Sequence, residues 1–556
     1  MSDQMNPYRA PASTGTAPTA DRRLFWACFM AMITTAFGFI IRAMIMNDLA
    51  LQFGLDKTQV GEILGVGLWP FAISIVLFSL VVDRIGYGRA MVFAFFCHIV
   101  SAIVTICAPL VLAPAGSDAA AVALGHSRGY WMLYVGNLIV ALGNGTVEAV
   151  VNPVVATMFS KQKAKWLNVL HAGWAGGLVL GGILTISMAT TGVVGSHFME
   201  AISWQWKVAL IFLPTIAYGL MMLGRRFPQN ERVTAGVSYR AMLQEVGVLG
   251  ALLVVALIVR QVGNVFDSPL WLEIAVGAVL VLAFGAYVRT WGRPMFIFLL
   301  LIMLPLATTE LGTDSWITDL MTPVMSKIGY QAGWVLVYTS FIMMMLRLFA
   351  GSIVHRISPL GLLACSAAIA CCGLIALSYS VGWFIFAAAT LYGFGKSFFW
   401  PTMLGVVAEQ YPEGGALTLN VTGAVGMLGV GVIGAVLLGN IQDKQVYREL
   451  KANDPTIFAE VQGLPKTSVF GEYKAVDETK LAALPVKQKA VVTSITDQAK
   501  KSALATVAIF PAIMLICYLI LLAYFRSKGG YDAKVLSGHA AKDAEFTGGI
   551  PGPADM

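Results

Sequence analysis

Residues 62–89 read EILGVGLWPFAISIVLFSLVVDRIGYGR. Between Glu62 and Asp83 lie twenty residues without an acid or a base. A helix of that length rises about 30 Å, the thickness of a bilayer's hydrocarbon core. Asp83, Arg84 and two glycines then close it in a short polar turn. The segment reads as a membrane span, and its shape recurs along the chain. Further apolar spans fall at about 24–46, 89–113, 130–158, 167–190 and 205–224, and a second set of six at about 296–320, 332–354, 360–380, 382–408, 421–441 and 503–526.

The composition agrees. Of 556 residues 58% are hydrophobic and 12% charged, with mean hydropathy +0.75, where a soluble domain carries about twice that charge fraction. A soluble enzyme, a secreted disulfide scaffold and a disordered chain are all excluded. The net charge is +7, but the basic residues are spread over loops and outline no nucleic-acid surface. All seven cysteines lie in apolar stretches without a CxxC pair, as small buried hydrophobes do, so no metal or redox centre is expected.

Residues 1–23 are polar and read as a disordered cytoplasmic tail. Residues 24–224 form a first six-helix bundle and 296–526 a second, with 527–556 a second cytoplasmic tail. The linker 225–295 carries two extra apolar stretches, about 246–262 and 269–288, separated by GNVFDSP. These form a hairpin that leaves the second bundle in the orientation of the first. With the N-terminus inside, cytoplasmic segments hold about 19 Lys and Arg and the short opposite loops about four or five, which is the positive-inside bias. Residues 442–502 should lie outside as a helical insert, read from QVYRELKAND and ETKLAALPVKQKAVVTSITDQAKK. The fold class expected is an all-α membrane protein of twelve core spans plus two.

An internal repeat supports two related halves. SLVVDRIGYGR (79–89) follows the second span, and GSIVHRISPLG (351–361) follows the eighth. Each is a small residue, three apolar residues, an ionisable residue and Arg, as expected of bundles facing each other across a central path. Asp83-Arg84-x-Gly86-x-x-Arg89 resembles the loop motif of the major facilitator superfamily. That resemblance implies a cytoplasmic gate network of Asp83, Arg84 and Arg89, with Arg356 in the second copy. Ser79 replaces the usual glycine, and His355 stands where the second copy would carry Asp. GNGTVEAVVNPVVATMF and LNVLHAGWAGG resemble the E-x-x-x-N-P … L-N signature of the fucose:proton symporter group of sugar transporters. TELGTDSWITDL and FFWPTMLGV are similar to that group's patterns in spans seven and ten. The group's mid-span acid in span one is missing, since GFIIRAMIMND places Arg42 and Ala43 there and Asp48 nearer the end.

Ionisable groups at membrane depth mark function. Asn137, Asn144, Glu148 and Asn152 are spaced seven, four and four apart, on one face of the fourth span. Lipid cannot satisfy such a stripe, so it should face a cavity. Glu148 is the expected proton carrier, able to load and release a proton in each cycle; the resemblance places it at the group's proton-linked glutamate. Arg42 is its expected partner, released when Glu148 is protonated. Asn144, Asn152, Asn168, His171, Glu310, Tyr392, Lys396 and Trp400 are the expected substrate ligands, Lys396 donating to substrate oxygens and Trp400 stacking on a sugar ring. Asp314, four residues after Glu310, shares its face. Arg347 resembles a family position at the gate end of the eighth span, and gating is expected there. Pro401 should kink the tenth span, and GWAGGLVLGG (173–182) should let helices pack closely.

No phosphate-cradling loop, catalytic metal set or nucleotide domain is recognisable, so neither an enzyme nor an ATP-driven pump is expected. The expectation is a monomeric, multi-pass transporter of a bacterial-type inner membrane, without cofactor, importing a monosaccharide with protons, sodium being the other cation. An anionic sugar acid or organic anion is the alternative substrate, since Arg42, Lys396 and Arg347 are fixed cations. Efflux of amphipathic compounds and a non-transporting nutrient sensor are the remaining readings.

Overall fold

The structure, a computed structural model, describes residues 21–55, 57–188, 202–354, 357–468 and 471–536. His355 and Arg356, the second copy of the gate motif, lie outside them. The first half consists of α1 (Arg22–Met44), α2 (Gln59–Ile85), α3 (Tyr87–Val111), α4 (Ala119–Met158), α5 (Lys163–Ser187) and α6 (Trp204–Met222). The hairpin is α7 (Tyr239–Val265) and α8 (Leu270–Val288). The second half has α9 (Pro294–Thr318), α10 (Gly333–Leu348), α11 (Pro359–Tyr379), α12 (Phe384–Lys396), α13 (Phe399–Gln410), α14 (Pro412–Val432) and α15 (Val486–Ser527).

Twelve of the helices among the described residues are long and apolar enough to cross a bilayer. α10 counts as a thirteenth only together with the preceding Leu320–Ile328, from which it is bent by 104°. The tenth core pass is broken into α12 and α13, so neither piece reaches a full span. Together these give the expected twelve core passes and the extra pair.

Small residues set the closest contacts. α5 lies against α1, and a Cβ on Gly177 would sit 2.5 Å from the Ile33 carbonyl oxygen. The halves meet along two seams, α2 with α14 and α5 with α10 and α13. Buried side chains of both halves, among them Phe71, Val151, Met303 and Trp400, form one continuous core across these seams.

The two ends of the hairpin are tied to each other at a backbone break. Gly247 in α7 adopts φ 61°, a conformation open to glycine. The freed N–H groups of Val248 and Leu249 donate to the carbonyls of Thr290 and Trp291 at 2.9 and 3.3 Å. Arg260, an awkward residue for a span, bonds Glu273 of α8 at 2.8 Å. A Cβ at position 263 would collide with that carboxylate, so Gly263 makes room for it.

The 442–502 insert departs from the all-helical expectation. Helix Ala435–Asn453 continues past α14, and after helix Pro455–Val461 comes an antiparallel hairpin of β1 (Gln462–Ser468) and β2 (Gly471–Val476). The last pass also begins earlier than expected, because nothing in Val486–Val507 breaks the helix that leads into it. Val446, Leu450, Ile457, Val461, Val492 and Ala499 give the insert its own small core.

Candidate functional site

Two prolines organise the centre of the molecule. Proline has no N–H, so the carbonyl four residues before it loses its helical partner. Pro153 in α4 thus orphans the Ala149 carbonyl, and Pro401 in α13 orphans that of Ser397. Side chains from other helices occupy both positions. Asn420 Nδ2 of α14 donates to the Ala149 oxygen at 3.0 Å, and Arg347 Nε of α10 to the Ser397 oxygen at 2.6 Å. The tenth pass breaks at Ser397–Phe398, just before the proline rather than at it.

Between these helices lies a central cavity lined on the first half by Phe71, Glu148, Asn152, His171 and Trp174, and on the second by Glu310, Arg347, Trp400 and Asn420. Glu148 and Asn152 stand one helical turn apart on α4. Asn152 Nδ2 donates to Glu148 Oε2 at 2.5 Å, which leaves its Oδ1 to accept from His171 Nε2 at 3.0 Å. The amide orientation therefore requires the proton of His171 to sit on Nε2. Glu148 has no cation within ion-pair distance among the described residues.

On the opposite wall the charges are already matched. Glu310 sits in a π-helical turn, Thr308–Gly312, that interrupts α9; such turns are frequent at functional sites. Its Oε1 accepts from Arg347 Nη2 at 2.8 Å, and its Oε2 accepts from the Trp400 backbone N–H at 3.1 Å in the first turn of α13. An anion is favoured at such a helix start. Arg347 Nη1 reaches across to the His171 carbonyl at 3.1 Å. Arg347 thus stands in the cavity wall, bridging the halves, and not at the gate end where it was expected.

Several expected ligands are elsewhere. Lys396 is fully buried and clasps Asp314 at 2.5–2.6 Å, outside the cavity lining. Tyr392 donates to the Thr309 carbonyl of the π turn at 2.8 Å. Both hold α12 against α9. Asn144 Oδ1 accepts from His98 Nε2 at 2.9 Å, turned toward α3. Steps of four residues advance about 40° around a helix, so Asn144 and Asn152 face directions about 80° apart. Asn168 donates to Thr402 Oγ1 at 3.0 Å across the seam between α5 and α13, again outside the lining.

The Arg42–Glu148 pair does not form. Arg42 Nη2 donates to Ser101 Oγ at 2.8 Å, and Ser101 in turn to the Gly136 carbonyl. Gly136 precedes Glu148 by twelve residues on the same helix, about 18 Å along its axis, so Arg42 occupies a different level of the bundle.

The gate motif also acts differently from its expectation. Asp83 accepts from Arg232 Nη2 at 2.6 Å, and Arg84 lies over the Tyr239 ring at 5.1 Å. Arg89 is exposed. Asp83 and Arg84 thus hold the linker against the first half. Two contacts that cross between the halves at this end come from the start of α5. Lys163 Nζ donates to the Ala408 carbonyl at 3.1 Å, and the Ala164 N–H to Glu409 Oε1 at 3.0 Å. Sequence reading missed Glu409 and Asn420. For Asn420 a signal existed, an amide in an otherwise apolar stretch of α14.

A family model, the Major Facilitator Superfamily, matches residues 26–435. The chain belongs to this superfamily. Its members are transporters, and twelve or more apolar helices make this one a multi-pass membrane protein. The fold is shared with a proton:xylose symporter, XylE, solved with 6-bromo-6-deoxy-D-glucose: 11% identity, 88% of this chain and 94% of that one covered, TM-score 0.54. A bacterial homologue of the human lysosomal transporter Spinster gives 14% identity, 90% and 97% coverage and TM-score 0.54. The Escherichia coli fucose:proton symporter FucP gives 14% identity, 87% and 98% coverage and TM-score 0.48. At these identities the likeness to XylE and to the Spinster homologue is one of fold. No curated protein matches the sequence significantly.

Proposed function

We propose that this superfamily member imports a neutral monosaccharide together with a proton, by alternately exposing the central cavity to the two sides of a bacterial-type inner membrane. The observation that carries this reading is the distribution of charge around the cavity. Arg347 is taken by Glu310, Lys396 by Asp314, and Arg42 stands at another level of the bundle. Among the described residues no cation in the wall is left over for an anionic solute, which weakens the alternative of sugar acids or organic anions. The unpartnered Asn420 Oδ1 remains for a hydroxyl, and the indoles of Trp174 and Trp400 for the C–H face of a ring.

Glu148 is the acid in this wall without a fixed cation, so it can gain and lose a proton without breaking an ion pair. Its link through Asn152 to His171, whose carbonyl holds Arg347, joins the proton site to the opposite half. Movement of the halves and the charge of Glu148 are thereby coupled. The likeness of the E-x-x-x-N-P and L-N segments to the fucose:proton symporter group supports the same reading. The loop charges support a cytoplasmic position for the Asp83 end in this reading.

The test is ligand-dependent thermal stabilisation of the detergent-purified protein, comparing neutral pentoses, hexoses and 6-deoxyhexoses with hexuronates and small carboxylates. Bound ligand adds RT ln(1 + [L]/Kd), so millimolar binders register. Stabilisation by a neutral sugar is expected; stabilisation by acids alone would transfer the assignment to anions. Counterflow of labelled sugar separates a transporter from a sensor, which binds without exchange.

A further inference from the structure

The chain that follows α15 does not leave the bundle at once. Residues 531–536 run across the gate end as an extended segment and make four hydrogen bonds there. Three anchor it to the end of α13: Tyr531 Oη to Glu409 Oε2 at 2.6 Å, Gln410 Nε2 to the Asp532 carbonyl at 2.8 Å, and the Lys534 N–H to the Glu409 carbonyl at 2.9 Å. The fourth crosses over. The Leu536 N–H donates to Glu231 Oε1 at 2.8 Å.

Glu231 lies in the linker, and the linker is fixed to the first half. The other oxygen of Glu231 accepts from Lys163 Nζ at 2.6 Å, Arg232 holds Asp83, and Asn230 Nδ2 donates to Tyr87 Oη at 3.1 Å. The tail therefore belongs to the second half at its Tyr531 end and is bound to the first half's apparatus at Leu536. It spans the same gap that Lys163–Ala408 and Ala164–Glu409 close.

We propose that residues 531–536 are a strap that restrains opening at this end of the transporter. The halves cannot part here while the Leu536–Glu231 bond stands. The strap shares Glu409 and Glu231 with the gate contacts, so its release and the loss of those contacts are linked: when Leu536 leaves, Glu231 keeps Lys163 alone, and when Tyr531 leaves, Glu409 keeps Ala164 alone. Tail docking is thereby a brake on the conformational cycle that acts whatever the solute is.

The experiment measures distances between paramagnetic labels at Arg89 and Ile357, both exposed and placed in the corresponding turns of the two halves at this end. Leu536→Pro removes the N–H by which the tail reaches Glu231 and leaves the rest of the tail in place. Leu536→Ala keeps the N–H and is the control. Loss of a hydrogen bond to a charged acceptor should raise the long-distance, open population about tenfold in Leu536→Pro, with Leu536→Ala unchanged. Deletion of residues 531–556 should raise it further, and unfolding of each variant is followed in parallel so that only folded protein is compared. A distance distribution identical in parent, Leu536→Pro and the deletion would overturn the strap. None of these readouts uses a substrate, so failure of the sugar assignment leaves the result intact.

Discussion

Asn420 of the second half donates its Nδ2 to the backbone carbonyl of Ala149 in the first half, 3.0 Å away. The carbonyl is available because Pro153 cannot bond it, and Ala149 directly follows Glu148. A sequence motif in one half thus creates the acceptor that a side chain from the other half fills, next to the acid proposed to carry the proton. Pro401 and Arg347 repeat the arrangement in the tenth pass.

That relationship is testable as a cycle. Asn420→Ala should lower stability by about 1–3 kcal/mol, the cost of a buried carbonyl left unpaired, read as a fall in Tm. Pro153→Ala restores an N–H to Ala149 within the helix, and in that background Asn420→Ala should cost markedly less. Equal costs in both backgrounds would show that the bond does not depend on the proline.

The buried Glu310–Arg347 pair should tolerate loss of both partners better than loss of one. Glu310→Gln leaves a guanidinium without its anion and is expected to cost about 3–5 kcal/mol. Glu310→Gln combined with Arg347→Met should recover part of that stability while abolishing sugar exchange, because Arg347 also holds His171 and Ser397. Thermal unfolding and counterflow on the same preparations check the two halves of this statement.

Lys396 separates structural from ligand roles. Lys396→Met should destabilise strongly by stranding Asp314, and Lys396→Met with Asp314→Leu should restore stability. Sugar affinity in the double variant should stay within about twofold of the parent, since neither side chain lines the cavity. A double variant that is stable but no longer binds would put Lys396 back among the ligands.

The fold was legible because span length and loop charge are properties of contiguous sequence. Twenty residues without a charge before Asp83, and the same punctuation after the eighth span, need no tertiary information. The face of a helix was legible over short distances: Glu148 and Asn152, one turn apart, do share the cavity. Over longer distances the reading drifted, since 40° per four residues carries Asn144 around to α3. Pairing partners were the least legible. Arg42 and Glu148 suit each other in charge, but the register of α1, α3 and α4 puts Arg42 beside Ser101. Lys396 and Arg347 looked like free cations because their acids, Asp314 and Glu310, come from a pass distant in sequence. Carbonyls orphaned by Pro153 and Pro401 could have been foreseen from the prolines; that Asn420 and Arg347 would fill them depends on how the helices pack.

The central claim, proton-linked entry of a neutral sugar through Glu148, is tested most directly in lightly buffered proteoliposomes with a pH electrode. Addition of a neutral sugar that stabilises the purified protein should alkalinise the external medium as protons enter with it. Glu148→Gln should abolish that signal and gradient-driven accumulation while still exchanging labelled sugar in counterflow. Sugar entry without proton movement in the parent, or equal loss of binding, exchange and accumulation in Glu148→Gln, would contradict the account and leave Glu148 a structural residue.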